Sequence, residues 1–353
     1  MEGRVLTLSY GNVVPWITAL SGSHTVFAPR RSGGDRVEFA EVTDPSSADL
    51  LLDTHRAVVR HLWQPQTEVL FRFRRSSEGT TIEPATADAK PRVAMGLSPF
   101  DAAAIRRVSK VMASGKHADP RGVMGLEMGM VSVFGPEPWR TCYPSLCGCL
   151  KCMAEEGSDI VLTPIEGAFV ANVTSERGER LVAAAPGLFS DAAEAEVSAS
   201  EDVRAAFRKK LPDDPFGEVF EQSPNEVWDC EAFDRVAERC LGCGICTYLC
   251  PACHCFDILD ESRGAEGKRY RCWDSCQFDH FTLHASRHNP RPVQAARIRQ
   301  RVLHKFMYMP REFGVLGCTG CGRCVDLCPA GISIFEVMAE VREELNAAKE
   351  TPA

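Results

Sequence analysis

The sequence predicts an α+β protein with a mixed α/β domain followed by a mostly helical domain. Short runs of β-branched and other apolar residues alternate with helical stretches over the first two hundred residues. The last third instead has helical apolar periodicity and two copies of one cysteine motif. A segment rich in proline, aspartate and serine at 211–226 reads as a linker, so we expect domains at 1–224 and 225–353.

The elements follow from local pattern. We expect strands at 5–8, 37–42, 69–73, 93–97, 130–134 and 160–163. A helix is expected at 101–113, and the alanine-rich stretch 183–207 predicts one or two more. Helical spacing puts two sets of residues on buried faces, Phe233, Val236, Ala237 and Cys240, then Ile334, Val337, Met338, Val341 and Leu345.

The cysteine motif CxxCxxCxxxCP occurs twice, at Cys240, Cys243, Cys246, Cys250, Pro251 and at Cys318, Cys321, Cys324, Cys328, Pro329. This spacing binds cubane iron–sulfur clusters, and in two-cluster ferredoxins the fourth cysteine ligates the other copy's cluster. Crossed ligation assigns the first [4Fe-4S] cluster to Cys240, Cys243, Cys246 and Cys328. It assigns the second to Cys318, Cys321, Cys324 and Cys250. The C-terminal domain is therefore expected to be ferredoxin-like, with an insertion at 251–317.

Zinc is the alternative metal, because CxxC pairs also build structural zinc sites. A third cysteine at the same pitch followed by CP has no role in such a four-ligand site. A disulfide framework is disfavoured, since the chain has 353 residues, is 44% hydrophobic and clusters its cysteines.

Two further groups of four bring the assigned cysteines to sixteen of seventeen, leaving Cys230. Within the insertion, the group is Cys253, Cys255, Cys272 and Cys276. It predicts either an additional cluster or zinc site, or small buried side chains beside the first cluster. Upstream, the group is Cys142, Cys147, Cys149 and Cys152. Here a further cluster is the first interpretation, zinc the second and a redox-active disulfide the third.

Other classes of function find little support. The formal charge of −8 argues against nucleic acid as a partner. With no basic-apolar leader and no run of eighteen apolar residues, we expect a soluble, cytoplasmic chain and no membrane partner. No glycine-rich nucleotide motif, nucleophile or acid/base pair is recognised, so no nucleotide site and no catalytic residue are predicted.

Although the chain as a whole carries a net negative charge, the segment 287–311 is rich in basic residues. These are Arg287, Arg291, Arg297, Arg299, Arg301, Lys305 and Arg311. A helix there puts an apolar stripe on one side and much of the charge on the other, the stripe being Ile298, Val302, Phe306 and Met309. The charged side is either a solvated face, an electrostatic support for the clusters or a docking site for an acidic partner.

The segments CLGCGICTYLCPACHCFDI, RCWDSC and RQRVLHKFMYMPREFGVLGCTGCGRCVDLCPAGISI carry a family resemblance. They resemble the iron–sulfur subunit shared by anaerobic sulfite reductase and by cytoplasmic NAD(P)-linked [NiFe] hydrogenases, where it is the beta subunit. Upstream, MGLSPFDAAAIRRVSKV and SDIVLTPIEGAFVANV are similar to the N-terminal domain of that family. One departure is Ser98-Pro99-Phe100-Asp101, where the family commonly has Arg-Pro-Cys-Asp. Phe100 cannot ligate iron, so the N-terminal site is lost or Cys142 and Cys152 replace the missing ligands.

The resemblance implies an electron-transfer subunit with two ferredoxin-type clusters and often more. We expect it to relay single electrons in a cytoplasmic hetero-oligomer, between a flavoprotein subunit that binds NAD(P)H and a catalytic subunit. The catalytic partner is of hydrogenase, sulfite reductase or heterodisulfide-reductase type. The alternative is a catalytic flavin- or substrate-binding reductase subunit fed by its own clusters, and a zinc-bearing scaffold is the third hypothesis.

Overall fold

The computed structural model describes residues 3–85, 90–134, 157–208 and 223–350. Its architecture is α+β, as the sequence predicts, with one eight-stranded mixed sheet, one four-stranded antiparallel sheet and helices that pack against the large sheet. Within these described ranges, no helix is long and apolar enough to cross a membrane.

The twelve strands are β1 Arg4–Ser9, β2 Thr25–Arg31, β3 Val37–Glu41, β4 Thr67–Ser76, β5 Gly79–Pro84, β6 Arg92–Leu97, β7 Gly129–Val133, β8 Ile160–Ile165, β9 Ala168–Val173, β10 Phe189–Asp191, β11 Phe256–Arg263 and β12 Glu266–Trp273. The large sheet has the order β10-β1-β9-β8-β7-β6-β2-β3. Its centre, β2 to β6 to β7 to β8, is parallel, and the remaining pairs are antiparallel. Strands β6 to β8 are almost wholly buried, which explains their continuous apolar sequences.

The small sheet has the order β11-β12-β4-β5. Its β11–β12 hairpin comes from the insertion between the cysteine motifs, whereas β4 and β5 come from the N-terminal part of the chain. Strand β12 pairs with β4 from Thr67↔Cys272 to Arg74↔Glu266. This pairing joins the N-terminal part of the chain to the insertion through backbone hydrogen bonds.

The helices are α1 Val13–Ser23, α2 Pro99–Met112, α3 Pro120–Glu127, α4 Glu176–Ala183, α5 Glu194–Arg208, α6 Pro224–Trp228, α7 Ala232–Ala237, α8 Ile245–Tyr248, α9 Gln294–Leu303, α10 Met309–Phe313, α11 Arg323–Asp326 and α12 Ile334–Glu350. A π-helical turn, His304–Tyr308, lies between α9 and α10. Helix α2 begins where the Ser98 side chain accepts a hydrogen bond from the Asp101 N–H, a standard N-cap.

The apolar core is continuous across the expected domain boundary. One buried cluster packs Phe100, Phe134 and Val161 of the N-terminal part against α9 and α12. Another packs Cys250 and Cys253 among residues of α2 and β6. The division at 224/225 stays a prediction, but side chains on both sides of it form shared cores.

Candidate metal centre

Each copy of the cysteine motif folds as a tight loop that ends in a single-turn helix. In the first copy Gly242 and Gly244 have φ of 63° and 75°, and in the second Gly320 and Gly322 have 75° and 77°. Left-handed backbone of this kind costs an L-residue about 1–2 kcal/mol, which favours glycine. At Gly244 a Cβ would also lie 2.9 Å from Phe278 Cζ. The repeated sequence thus corresponds to a repeated backbone.

The first loop surrounds a cavity of about 60 Å³. Five cysteines line it, namely Cys240, Cys243, Cys246, Cys324 and Cys328. The set contains all four residues that crossed ligation assigns to the first cluster, including Cys328 from the far copy. Two N–H groups point at these sulfurs, from Ile332 N to Cys328 Sγ (3.3 Å) and from Gln294 Nε2 to Cys240 Sγ (3.4 Å). Such N–H···S contacts tune cluster potentials.

The second set gathers around Cys250. This cysteine lies close enough to Cys318 and Cys321 to influence the pKa of both thiols. Burial raises the pKa of Cys318 to about 12 and also raises that of Cys321. A hydrogen bond from Cys253 lowers the pKa of the Cys250 thiol, and Lys305 lowers it further, against the opposing effect of burial.

These surroundings fit negatively charged, thiolate-bound clusters. Lys305 is buried and Arg301 is partly buried beside the cysteines, and neither forms an ion pair with a carboxylate within the described chain. A buried cation without a nearby anion is costly, so clusters with net negative charge would compensate both. Burial also raises the pKa of Cys246 to about 12, so a bound metal would be needed to keep this residue as a thiolate at neutral pH.

A site for a single metal ion, such as zinc, would need several ligands around one point. Across the described ranges, no group of three or more His, Cys, Asp or Glu side chains is placed to hold one metal ion.

Three of the four cysteines of the insertion share a second cavity, of about 280 Å³. Cys253, Cys255 and Cys276 line it with His254 and His304, whose rings lie 5.6 Å apart. A hydrogen bond between the Cys255 and Cys276 thiols lowers the pKa of Cys276 to about 6 and raises that of Cys255. Burial lowers the pKa of His254 to about 3 and that of His304 to about 4, so both rings are neutral at pH 7.

The fourth member, Cys272, lies elsewhere. It sits on β12, opposite Asp257 on one side and Thr67 on the other. It is not among the described residues that line this second cavity.

Polar residues of the N-terminal part support the motif loops. Arg323, between Cys321 and Cys324, forms a buried ion pair with Asp101 and donates to the His55 carbonyl at 2.6 Å. Arg107 donates to the Cys318 carbonyl at 2.9 Å, and Arg60 to the Cys255 carbonyl at 2.6 Å. Sequence reasoning did not identify these arginines as part of the site. For Arg107, and for the Asp101 partner of Arg323, the available signal was their charge on helix α2, whose other buried side chains are small or apolar.

At the position of the family's N-terminal cysteine, Phe100 is 3% exposed and packs in the core with Phe134 and Val161. It is thus an apolar core residue. The upstream cysteines Cys142, Cys147, Cys149 and Cys152 lie outside the described residues, so their role stays a prediction.

The basic segment has several different environments. Arg299 stacks over Trp228, with its guanidinium carbon 4.0 Å from the ring centre, and donates to the Trp228 carbonyl. Arg301 and Lys305 point inward to the cysteines, whereas Arg311 is exposed. The predicted apolar stripe is buried, at Ile298, Val302, Phe306 and Met309.

Comparison with known proteins defines the class. Residues 239–332 match the family described as a 4Fe-4S dicluster domain, so this part of the chain resembles a dicluster iron–sulfur domain. It is also similar to sulfhydrogenase 2 subunit beta of Pyrococcus furiosus, at 35% identity over 215 residues. The alignment covers 58% of this chain and 62% of that protein. These findings confirm the resemblance to hydrogenase-type iron–sulfur subunits; nothing in them concerns sulfite reductase.

Proposed function

We propose that the chain is an electron-transfer subunit of a multisubunit oxidoreductase. It relays single electrons between a partner that handles flavin or NAD(P)H and a catalytic partner, for which the relative's name favours a hydrogenase. Each bound [4Fe-4S] cluster would supply one-electron chemistry. The chain's own residues hold the clusters, shield them from solvent and set their potentials.

The observation that carries this proposal is the position of each fourth cysteine beside the other copy of the motif. Cys328 of the second copy lines the cavity of the first. Lys305 Nζ contacts both Cys250 Sγ of the first copy and the carbonyl of Gly317, which precedes Cys318 of the second. We therefore assign the first cluster to Cys240, Cys243, Cys246 and Cys328. The second is assigned to Cys318, Cys321, Cys324 and Cys250. Interleaved ligands would hold the two clusters close together, which suits a relay.

For an additional cluster, the shared cavity supports Cys253, Cys255 and Cys276 as ligands. Cys272 has no such support, and a histidine of the same cavity could serve in its place, His254 or His304. Zinc is the alternative metal for these three thiols, which would have to move to surround a single ion, since they do not do so as described. The group from Cys142 to Cys152 stays a prediction.

The test begins with the whole chain purified without oxygen. Iron, acid-labile sulfide and zinc are measured per chain, and EPR spectra are recorded before and after dithionite reduction. About eight irons with interacting reduced-state signals support the two-cluster assignment, whereas about twelve or sixteen would indicate that one or both of the further cysteine groups also bind clusters. Zinc without labile sulfide contradicts the proposal.

The partners are tested by tagging the chain in its native host and identifying the proteins that co-purify anaerobically. A flavoprotein together with a catalytic subunit is the expected result. Flavin bound to the isolated chain, or turnover of a substrate by it, would instead favour the catalytic alternative.

A further inference from the structure

Lys305 is held between two cysteines of the second predicted cluster set. Its side chain is buried, and Nζ lies 3.3 Å from Cys250 Sγ and donates to the Gly317 carbonyl at 2.8 Å. Gly317 directly precedes Cys318 in the sequence. The ammonium group thus contacts one ligand of the set and the residue beside another.

The backbone fixes this position from both sides. The Gly317 N–H donates to the Lys305 carbonyl at 2.8 Å, so the two residues exchange hydrogen bonds. Lys305 belongs to the π-helical turn His304–Tyr308, and such turns are frequent at functional sites. A Cβ on Gly317 would lie 2.6 Å from Met309 Sδ and 2.8 Å from Lys305 Cα. Only glycine allows the second motif to approach so closely.

Lys305 and Arg301 differ in what they face. Arg301 lies near Cys246 and Cys324, one from each predicted set, and donates to the Cys246 carbonyl at 3.3 Å. Its charge therefore acts on both sets. The hydrogen bond of Lys305 to a sulfur is made to Cys250 alone among the described residues. Lys305 therefore distinguishes the second set from the first.

We propose that Lys305 raises the reduction potential of the Cys318, Cys321, Cys324, Cys250 cluster relative to that of the other cluster. The inference rests on the proposed two-cluster function. Reduction adds negative charge, which a buried ammonium group stabilises, and an N–H···S hydrogen bond acts in the same direction. Lys305 thereby sets on which of the two clusters an electron preferentially resides.

The test is a redox titration of the whole chain, followed by EPR, for the wild type and for Lys305→Met. The matched control is Lys110→Met, which removes one exposed lysine charge from helix α2. A parallel Cys250→Ser variant identifies which redox step belongs to the second set.

In Lys305→Met we expect the step altered by Cys250→Ser to shift at least tenfold in its reduced-to-oxidised ratio, towards the oxidised form. This corresponds to about 59 mV lower potential for one electron. The other step should shift less, and Lys305→Arg and Lys110→Met should titrate like the wild type. Unchanged midpoints in Lys305→Met overturn the inference, as does an equal shift of both steps.

Failure of the proposed function and failure of the inference about Lys305 give different results. If wild type contains no reducible cluster, the proposed function fails, whatever Lys305 does. If Lys305→Met binds less iron than wild type, Lys305→Gln replaces it, because its amide can still donate to Gly317 while carrying no charge. A wild-type midpoint in Lys305→Gln then overturns the inference.

Discussion

Arg323 and Asp101 form a fully buried ion pair that joins the second cysteine loop to helix α2. Both Nη atoms of the guanidinium group reach the carboxylate, and its Nε and Nη2 also donate to the His55 and Thr54 carbonyls. Arg323, one of the two residues between Cys321 and Cys324, is therefore anchored to the N-terminal part of the chain. The cluster loop and α2 should move as one body.

Loss of this anchor should be costly. In Asp101→Asn the guanidinium charge of Arg323 stays buried without its anion, and we expect the free energy of unfolding to fall by about 3–5 kcal/mol. Urea unfolding measures it. The control is Arg4→Met, whose ion pairs with Glu179 and Asp191 are exposed and should contribute about 0–1 kcal/mol. Equal effects of the two variants would contradict a structural role for the buried pair.

Paired serine variants test crossed ligation. Cys243→Ser with Cys328→Ser removes two ligands of one assigned cluster, so about four irons per chain should be lost. Cys321→Ser with Cys328→Ser removes one ligand from each, so iron loss should extend to both clusters. Iron and sulfide analysis distinguishes the pairs, and Cys230→Ser is the control that should retain all iron. If the Cys243/Cys328 pair instead depletes both clusters and the Cys321/Cys328 pair only one, each motif ligates its own cluster.

Gly317→Ala should destabilise the chain, because the new Cβ would collide with Met309 and Lys305. We expect a loss of about 1–3 kcal/mol in urea unfolding. Gly22→Ala in α1 meets no atom within 4 Å, and this helical position should gain about 0.5–1 kcal/mol. A neutral Gly317→Ala would indicate that the loop can withdraw from Lys305 without cost.

The Cys230 thiol should react slowly and only at high pH. Burial raises its pKa to about 11, and the thiolate is the reactive form. Its rate of alkylation by iodoacetamide should therefore rise about tenfold per pH unit from pH 8 and level off only near pH 11. Mass spectrometry of the labelled peptide follows this rate. A plateau already at pH 8 would contradict the burial of this side chain.

Local pattern in the sequence predicted much of the fold. All six expected strands are present, and α2 and α12 lie where spacing put them. The stretch 183–207 instead contains the end of α4, strand β10 and most of α5, because a short edge strand interrupts the alanine-rich run. Strands β2, β5, β9 and β10 were not predicted. The β11–β12 hairpin was also missed, since its charged sequence has no apolar alternation to indicate a strand.

The candidate site was predictable where it depends on cysteine spacing and not where it depends on tertiary contacts. The motif predicted that Cys250 and Cys328 exchange between the loops, and Cys328 lines the cavity of the first loop; the exchange itself stays a prediction. The cysteine spacing did not predict that Arg323 forms an ion pair with Asp101, 222 residues earlier in the sequence. For Lys305, electrostatic support of the clusters was one of three interpretations, and the sequence could not choose among them because helical periodicity assigns a lysine to the solvent side unless a buried anion is known.

During synthesis, strand β4 is made long before the strand with which it pairs, β12. Its neighbour β12 lies roughly two hundred residues further along the chain, which at about 5–20 residues per second means about 10–40 s of synthesis. Until then one edge of the β4–β5 hairpin can pair with other chains. Because β12 is made between the two cysteine motifs, the small sheet can close before the last ligands emerge, so that iron would be inserted into a largely preformed scaffold.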